Sequence, residues 1–280
     1  MQITPFRRIA IAFAFSPRRE ALLIEARRLM ELQNADLYII HAGEKKEHLE
    51  SQLDMLLEKM NFDPVRTHVR WEEGDPATKV AEVCRAEQID LLIAGALKQQ
   101  NLLQYYLGSV TRKILRSATC SVLVLREPGN KPSPVKEVLV CADENPRTAA
   151  LLAHAVAIGR LFRSRKVRIL KQVVFNSGKP ARGESREGMR EAINSELAKV
   201  AEMLKFSETR GINIRIKLTS EDPARNPAEY ARKYKADLLL IPAPSPRFML
   251  FSRMLRRETE YLLTDLPCNL LLLKDRAMIR

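Results

Sequence analysis

Short unbroken apolar runs recur along the chain, as in IAIAF, LYII, DLLIAG and SVLVL in the first half and VLVCA, VRILKQVVF, DLLLIP and NLLLL in the second. Such runs, rich in Val, Ile and Leu and without polar alternation, are the pattern of strands buried on both faces, as parallel strands are. Longer stretches of helical periodicity separate them. Alternating strands and helices predict right-handed crossovers and an open, doubly wound parallel sheet with helices on both faces. In such sheets ligands bind beyond the carboxyl ends of the strands, where the strand order reverses. The end of IAIAF and the loop after DLLIAG are therefore the predicted binding positions.

The pattern occurs twice. FRRIAIAFAFSPR matches VKEVLVCADENPR, which sets Ala14 opposite Asp143 and Pro17 opposite Pro146. EEGDPATKVAEVCRAEQIDLLIAGA matches TSEDPARNPAEYARKYKADLLLIPA, pairing Asp75 with Asp222 and Asp90 with Asp237. ILRSATCSVLVLRE matches YLLTDLPCNLLLLKD. A repeat of half the length means one fold duplicated, so two five-stranded α/β domains are expected at residues 1–128 and 136–280. Residues 129–135, from a stretch with three prolines and a glycine, form the linker. The offset grows from 129 to 148 residues along the match, mostly through an insertion at 176–188 whose composition predicts a mobile loop.

Composition narrows the function classes. No apolar run reaches the ~18–20 residues that cross a bilayer. The run Ile9–Phe15 is short, lacks a small-residue cleavage site and is followed by Arg18 and Arg19, so it reads as a strand rather than a signal peptide, and the expected compartment is cytoplasmic. Four cysteines without a C-x-x-C pair and four scattered histidines argue against a structural zinc site or a disulfide framework. Cys120 and Cys268 each precede a terminal strand, where they read as core residues. The net charge of +13 falls mostly on the second half, with 29 Lys and Arg against 17 Asp and Glu in residues 131–280. That suits an acidic partner or anionic surface, but no helix-turn-helix, zinc-finger or aromatic RNA-binding signature accompanies it, so nucleic acid is not the expected partner.

Enzyme signatures are missing too: GxSxG, HExxH, GxxxxGK[ST] and GxGxxG do not occur. Asp75 and Asp222 stand before Pro-Ala, where helix capping accounts for them without acid–base chemistry. A non-catalytic chain is the expectation.

The segment GALKQQNLLQYYLGSVTRKILRSATCSVLVL resembles the hallmark of universal stress proteins, a G-x-x-G, nine further residues and then G-S or G-T. Gly95, Gly108 and Ser109 fall on that pattern, and Lys98 stands where the second glycine belongs. The resemblance implies the adenine-nucleotide alpha hydrolase-like fold. It also implies a loop that wraps phosphates and an aspartate at the end of the first strand that contacts the nucleoside. Glycines let backbone N–H groups approach phosphate oxygens, and a Gly-Ser helix start adds the favourable end of the helix dipole. Here Ala14 replaces the aspartate, while the Lys98 charge can still neutralise a phosphate.

The second half departs in the opposite sense: Asp143 is kept, but Pro242 replaces the first glycine and Arg256-Arg257 occupy the Gly-Ser position. Arg247, Arg253, Arg256 and Arg257 are candidates for a side-chain anion site, set against a solvated helix face paired with Glu258 and Glu260. The resemblance thus implies a stress-response or regulatory binding module. No cofactor is required, and adenine-nucleotide binding (ATP or AMP) in the first half is weak or vestigial. Its partners are an unidentified protein, a pseudo-dimer made within the chain with the last strands SVLVL and NLLLL together, or a homodimer. Alternatives are a working ATP/AMP sensor, and the cytosolic regulatory part of a membrane transporter with peripheral membrane association.

Overall fold

A computed structural model describes residues 6–98, 105–142, 148–173, 186–243, 262 and 264–274. It resolves into two compact units: Thr4–Ser133 together with Glu260–Arg280, and Met1–Ile3 together with Pro134–Thr259.

In the first unit the elements are β1 (Arg8–Phe13), α1 (Arg19–Gln33), β2 (Asp36–Ala42), α2 (Glu47–Lys59), β3 (Thr67–Glu72), α3 (Pro76–Ala86), β4 (Leu91–Gly95), β5 (Leu97–Lys98), β6 (Tyr105–Tyr106), α4 (Ser109–Ser117) and β7 (Ser121–Leu125). Five strands run parallel in the order β3-β2-β1-β4-β7, and β5 and β6 form a small antiparallel hairpin. The central strands are the apolar runs of the sequence: Ile9, Ile11, Leu37, Ile39, Ile40, Leu92 and Ile93 have no exposed surface. α1 buries Leu22, Leu23, Ala26, Leu29 and Met30, one apolar stripe at helical spacing, and rests on β1, β2 and β4.

β3 (THVRWE) carries no fully buried residue and lies at the sheet edge. Its alternation of polar and apolar side chains suits an edge strand facing water. The linker packs on α1, where Ser133 donates its N–H to the buried Glu25 carboxylate at 2.6 Å and its carbonyl accepts from Arg28 Nη1 at 2.6 Å.

The second unit contains β8 (Glu137–Ala142), α5 (Thr148–Leu161), β9 (Lys166–Gln172), α6 (Arg186–Leu204), β10 (Ile214–Thr219), α7 (Pro227–Lys233) and β11 (Leu238–Pro242). The strands are parallel in the order β10-β9-β8-β11, repeating β3-β2-β1-β4. Equivalent aspartates lock the repeat. Asp90 Oδ2 accepts from the N–H groups of Arg7 and Arg8, both at 2.9 Å, and Asp237 Oδ2 accepts from those of Lys136 and Glu137, both at 2.8 Å.

The fifth strand of the second half, β12 (Asn269–Leu273), pairs antiparallel with β7 through Leu270–Val124, Leu271–Leu123 and Leu272–Val122. The last strands thus meet, as the sequence expects, and β12 belongs to the first compact unit. Side chains fix its ends: Arg126 N–H donates to Asn269 Oδ1 at 2.9 Å, and Lys274 N–H donates to Ser121 Oγ at 3.0 Å.

Two expectations need correction. Asp75 caps α3 as predicted, accepting from Thr78 N–H at 3.1 Å. Asp222 does not cap a helix: it closes a turn by accepting from Ala224 N–H at 2.9 Å. α7 starts four residues later than its counterpart, because Asn226-Pro227 supplies a second cap and N1 proline, with Asn226 accepting from Glu229 N–H at 3.3 Å and donating to its carboxylate at 2.8 Å. The insertion at 176–188 is also not loop to its end, since Arg186–Gly188 form the first turn of α6, while its residues 176–185 lie outside the described residues. No helix among the described residues is long and apolar enough to cross a membrane.

Candidate functional site

From β1 the chain crosses to β2 on one side, and β4 lies on the other, so the strand order reverses between the carboxyl ends of β1 and β4. A cavity of about 540 Å³ opens there, within the first unit. Ala14, Gly95, Lys98, Gly108 and Ser109 all line it. Residues separated by up to 95 positions are brought together because β1 and β4 are neighbours and α4 starts at the same cavity.

Gly95 and Gly108 are both close-approach positions. A Cβ on Gly95 would lie 3.2 Å from Leu22 Cδ1, so glycine lets α1 sit against the end of β4. A Cβ on Gly108 would lie 2.8 Å from Leu97 Cδ1. Gly108 is the N-cap of α4 and contributes no side-chain cap, and Ser109 is its first residue. The first N–H groups of that helix form a site suited to an anion.

Lys98 is exposed on the β5–β6 hairpin, and its Nζ lies 5.9 Å from the ring centre of Tyr105. Arg18 at 5.3 Å and Arg126 at 4.4 Å lie over the same ring. The Tyr105 ring is buried and its hydroxyl pKa is raised, by burial first and then by the Glu127 carboxylate, with Arg18 opposing. Arg126 Nε also donates to Leu266 O at 2.8 Å, and Leu266 N–H donates to Tyr105 O at 2.8 Å, which tie the hairpin to the approach to β12.

Sequence reasoning missed Arg18 and His41. Arg18, the N-cap residue of α1, lines the cavity, and its Nη1 is buried without a hydrogen-bond partner. His41 lines the cavity from near the end of β2, its Nδ1 3.2 Å from Phe13 O. A carbonyl only accepts, so Nδ1 is the donor in this contact. Phe15 and Trp71 pack around the same imidazole, at 5.1 and 4.8 Å between ring centres. The available signal was position: both residues flank ends of strands beside the reversal, where only the ends of β1 and β4 had been singled out.

In the second unit, Asp143, Arg247, Arg253, Arg256 and Arg257 lie outside the described residues. Register shows one difference between the halves. Phe13 pairs with His41 in the first unit, and Ala142 pairs with Lys171 in the second. Lys171 is 1% exposed and its Nζ lies 3.7 Å from Glu196 Oε2 on α6. A buried ion pair therefore stands where the first unit has a cavity wall.

A parallel five-stranded sheet with a glycine-bordered cavity at the β1–β4 reversal places the first unit among the doubly wound α/β folds. The chain belongs to the universal stress protein family, whose profile matches residues 5–126 and again 134–274. It is 30% identical over 147 residues to universal stress protein A homolog 2 of Coxiella burnetii, a match covering 45% of this chain and 98% of that protein. It is 33% identical over 64 residues to a universal stress protein of Methanocaldococcus jannaschii, where the match spans 23% of this chain and only 38% of the relative's length. Among solved structures, a Pseudomonas aeruginosa chain assigned to the universal stress proteins superposes with a TM-score of 0.71 at 18% identity, over 98% of this chain and 95% of that one. The cytoplasmic domain of a prokaryotic cation chloride cotransporter superposes with a TM-score of 0.53 at 13% identity, over 98% and 99%.

Proposed function

We propose that this protein is a non-catalytic, cytoplasmic regulatory module whose first domain weakly binds an adenine nucleotide, ATP or AMP, and whose second domain does not. The observation that carries the reading is the cavity at the β1–β4 reversal, which gathers Ala14, Gly95, Lys98, Gly108 and Ser109. Its volume of about 540 Å³ falls in the ~300–1,000 Å³ range of small-molecule sites. Its lining includes the aliphatic Ala12, Leu22 and Ile40 of β1, α1 and β2, suited to a base and sugar. Glycines, Lys98 and the start of α4 line it as well, suited to phosphates. With alanine at position 14 the nucleoside loses a carboxylate contact of about 1.5–3 kcal/mol, which supports weak binding.

Calorimetric titration of the full chain with ATP and AMP tests this, with Gly108→Val as the control that crowds Leu97 and the start of α4. Binding lost in that variant, with circular dichroism unchanged, is the expected result. Silence up to roughly 5 mM, less than about 3 kcal/mol of standard binding free energy, sinks the nucleotide reading. The likeness over almost the whole chain to a cotransporter's cytoplasmic domain supports a second reading, regulation of a membrane transporter as its cytosolic part. Recovery of the chain in the membrane fraction of gently lysed cells would favour it over a free partner protein or a homodimer.

A further inference from the structure

We infer that the first-domain cavity holds its ligand's phosphates as a metal-free polyanion, with Arg18 as a phosphate-binding residue beside Lys98. The inference rests on the nucleotide reading and adds the charge state of the ligand. Among the described residues lining the cavity, Arg18 and Lys98 are cations and none is Asp or Glu. The carboxylates adjoining the lining in sequence are engaged elsewhere. Asp75 accepts from Thr78 and meets Lys113 Nζ at 3.2 Å. Glu127 lies beside the Tyr105 hydroxyl and 3.9 Å from Arg126 Nη1.

A buried guanidinium N–H without a partner is a costly group. Arg18 Nη1 is such a group, and Arg18 is held by position at the start of α1 and by its contact with the face of Tyr105 at 5.3 Å. A phosphate oxygen supplies the acceptor that the protein does not, and the guanidinium fork matches phosphate geometry. Lys98 adds a point charge, and the start of α4 adds N–H donors. A divalent ion works against this arrangement. Mg²⁺ is held by carboxylates together with phosphate oxygens. The cavity lining offers no carboxylate, and magnesium offsets part of the ligand charge that Arg18 and Lys98 attract.

The experiment is titration of the full chain with ATP, ADP, AMP, adenosine and inorganic tripolyphosphate, each in EDTA and in excess Mg²⁺, repeated with Arg18→Gln and Arg18→Lys. Affinity should rise from AMP to ADP to ATP. Magnesium should weaken ATP severalfold. Arg18→Gln should weaken ATP about tenfold or more while leaving adenosine unchanged, and Arg18→Lys should recover part of the loss. Equal affinities along the phosphate series, tighter binding with magnesium, or an Arg18→Gln variant that binds ATP like the wild type would overturn the inference and leave the nucleotide reading standing. Tripolyphosphate binding that depends on Arg18, with no gain from an attached adenosine, would keep the anion site and remove the nucleotide reading. Silence from every compound removes both.

Discussion

Gly159 lies in α5 where that helix crosses β9, and a Cβ built on it would fall 2.5 Å from Val167 Cγ2 and 3.5 Å from Ile212 Cδ1. Val167 is fully buried and paired on both sides, with Val138 in β8 and Ile214 in β10, so it has little room to yield. Gly159→Ala sets two effects against each other. Helix propensity favours alanine by roughly 1 kcal/mol. Inserting a methyl into a close-packed contact costs typically about 1–3 kcal/mol. Because the contact is about 0.5 Å inside the shortest that real Cβ atoms make, and against a β-branched neighbour in an interior strand, the steric cost should win. The expected net loss is about 1–2 kcal/mol. Urea unfolding of the full chain, followed by a probe in the second half, measures it. The same substitution made with Val167→Ala in place should stabilise by a few tenths to about 1 kcal/mol, since only the propensity gain remains. A single Gly159→Ala variant more stable than wild type would refute the packing argument outright.

Asp90→Ala and Asp237→Ala should each destabilise their own unit by about 1–3 kcal/mol, because each leaves two strand N–H groups without their carboxylate acceptor; urea unfolding of both variants should give similar losses if the repeat is energetically equivalent. The Asp75 carboxyl is held below the usual carboxylate range, by Thr78 hydrogen bonds first and then by Lys113. A group whose folded pKa is depressed lends stability that is present above the unfolded value, about 4, and lost as pH falls through the folded value. The acid limb of a stability–pH curve should therefore be shallower in Asp75→Asn below about pH 4, and an unchanged limb would count against the cap's electrostatic role. Burial encloses all four cysteines, and the Cys84 thiol is pushed up by its hydrogen bond to Cys120 and by desolvation. Thiol reagents should accordingly label the native chain slowly and the urea-unfolded chain fully, with rapid native labelling at Cys84 contradicting the packing described.

The fold was legible wherever strands are buried on both faces. IAIAF, LYII, DLLIAG, SVLVL and NLLLL are all strands in the structure. The edge strands β3 and β10 escaped because THVRWE and IRIKLT alternate instead of running apolar, and a search for continuous runs passes over a strand that keeps one face in water. At the site, glycines and the Gly-Ser helix start were readable, since each marks a backbone requirement visible in one short segment. Arg18 was not, because its value lies in an unpartnered nitrogen beside a tyrosine 87 positions away. Asp222 misled for a related reason: the repeat aligned Asp-Pro-Ala with Asp-Pro-Ala, but a second Pro four residues on moved the start of the helix.

The pairing of β7 with β12 also sets an order in time. β7 ends at Leu125 and β12 at Leu273, so during synthesis the first unit has all five of its parallel strands some 148 residues before its antiparallel one. At about 5–20 residues per second that interval is roughly 7–30 s. Throughout it, Val122, Leu123 and Val124, paired with β4 on one side, present an open strand edge on the other, and a neighbouring ribosome on the same message carries the identical strand. Ser121 and Arg126, which bracket that strand and later bind Lys274 and Asn269, are the two places where the late arrival is recognised. A protein cut at its linker would keep the first unit in that waiting state indefinitely.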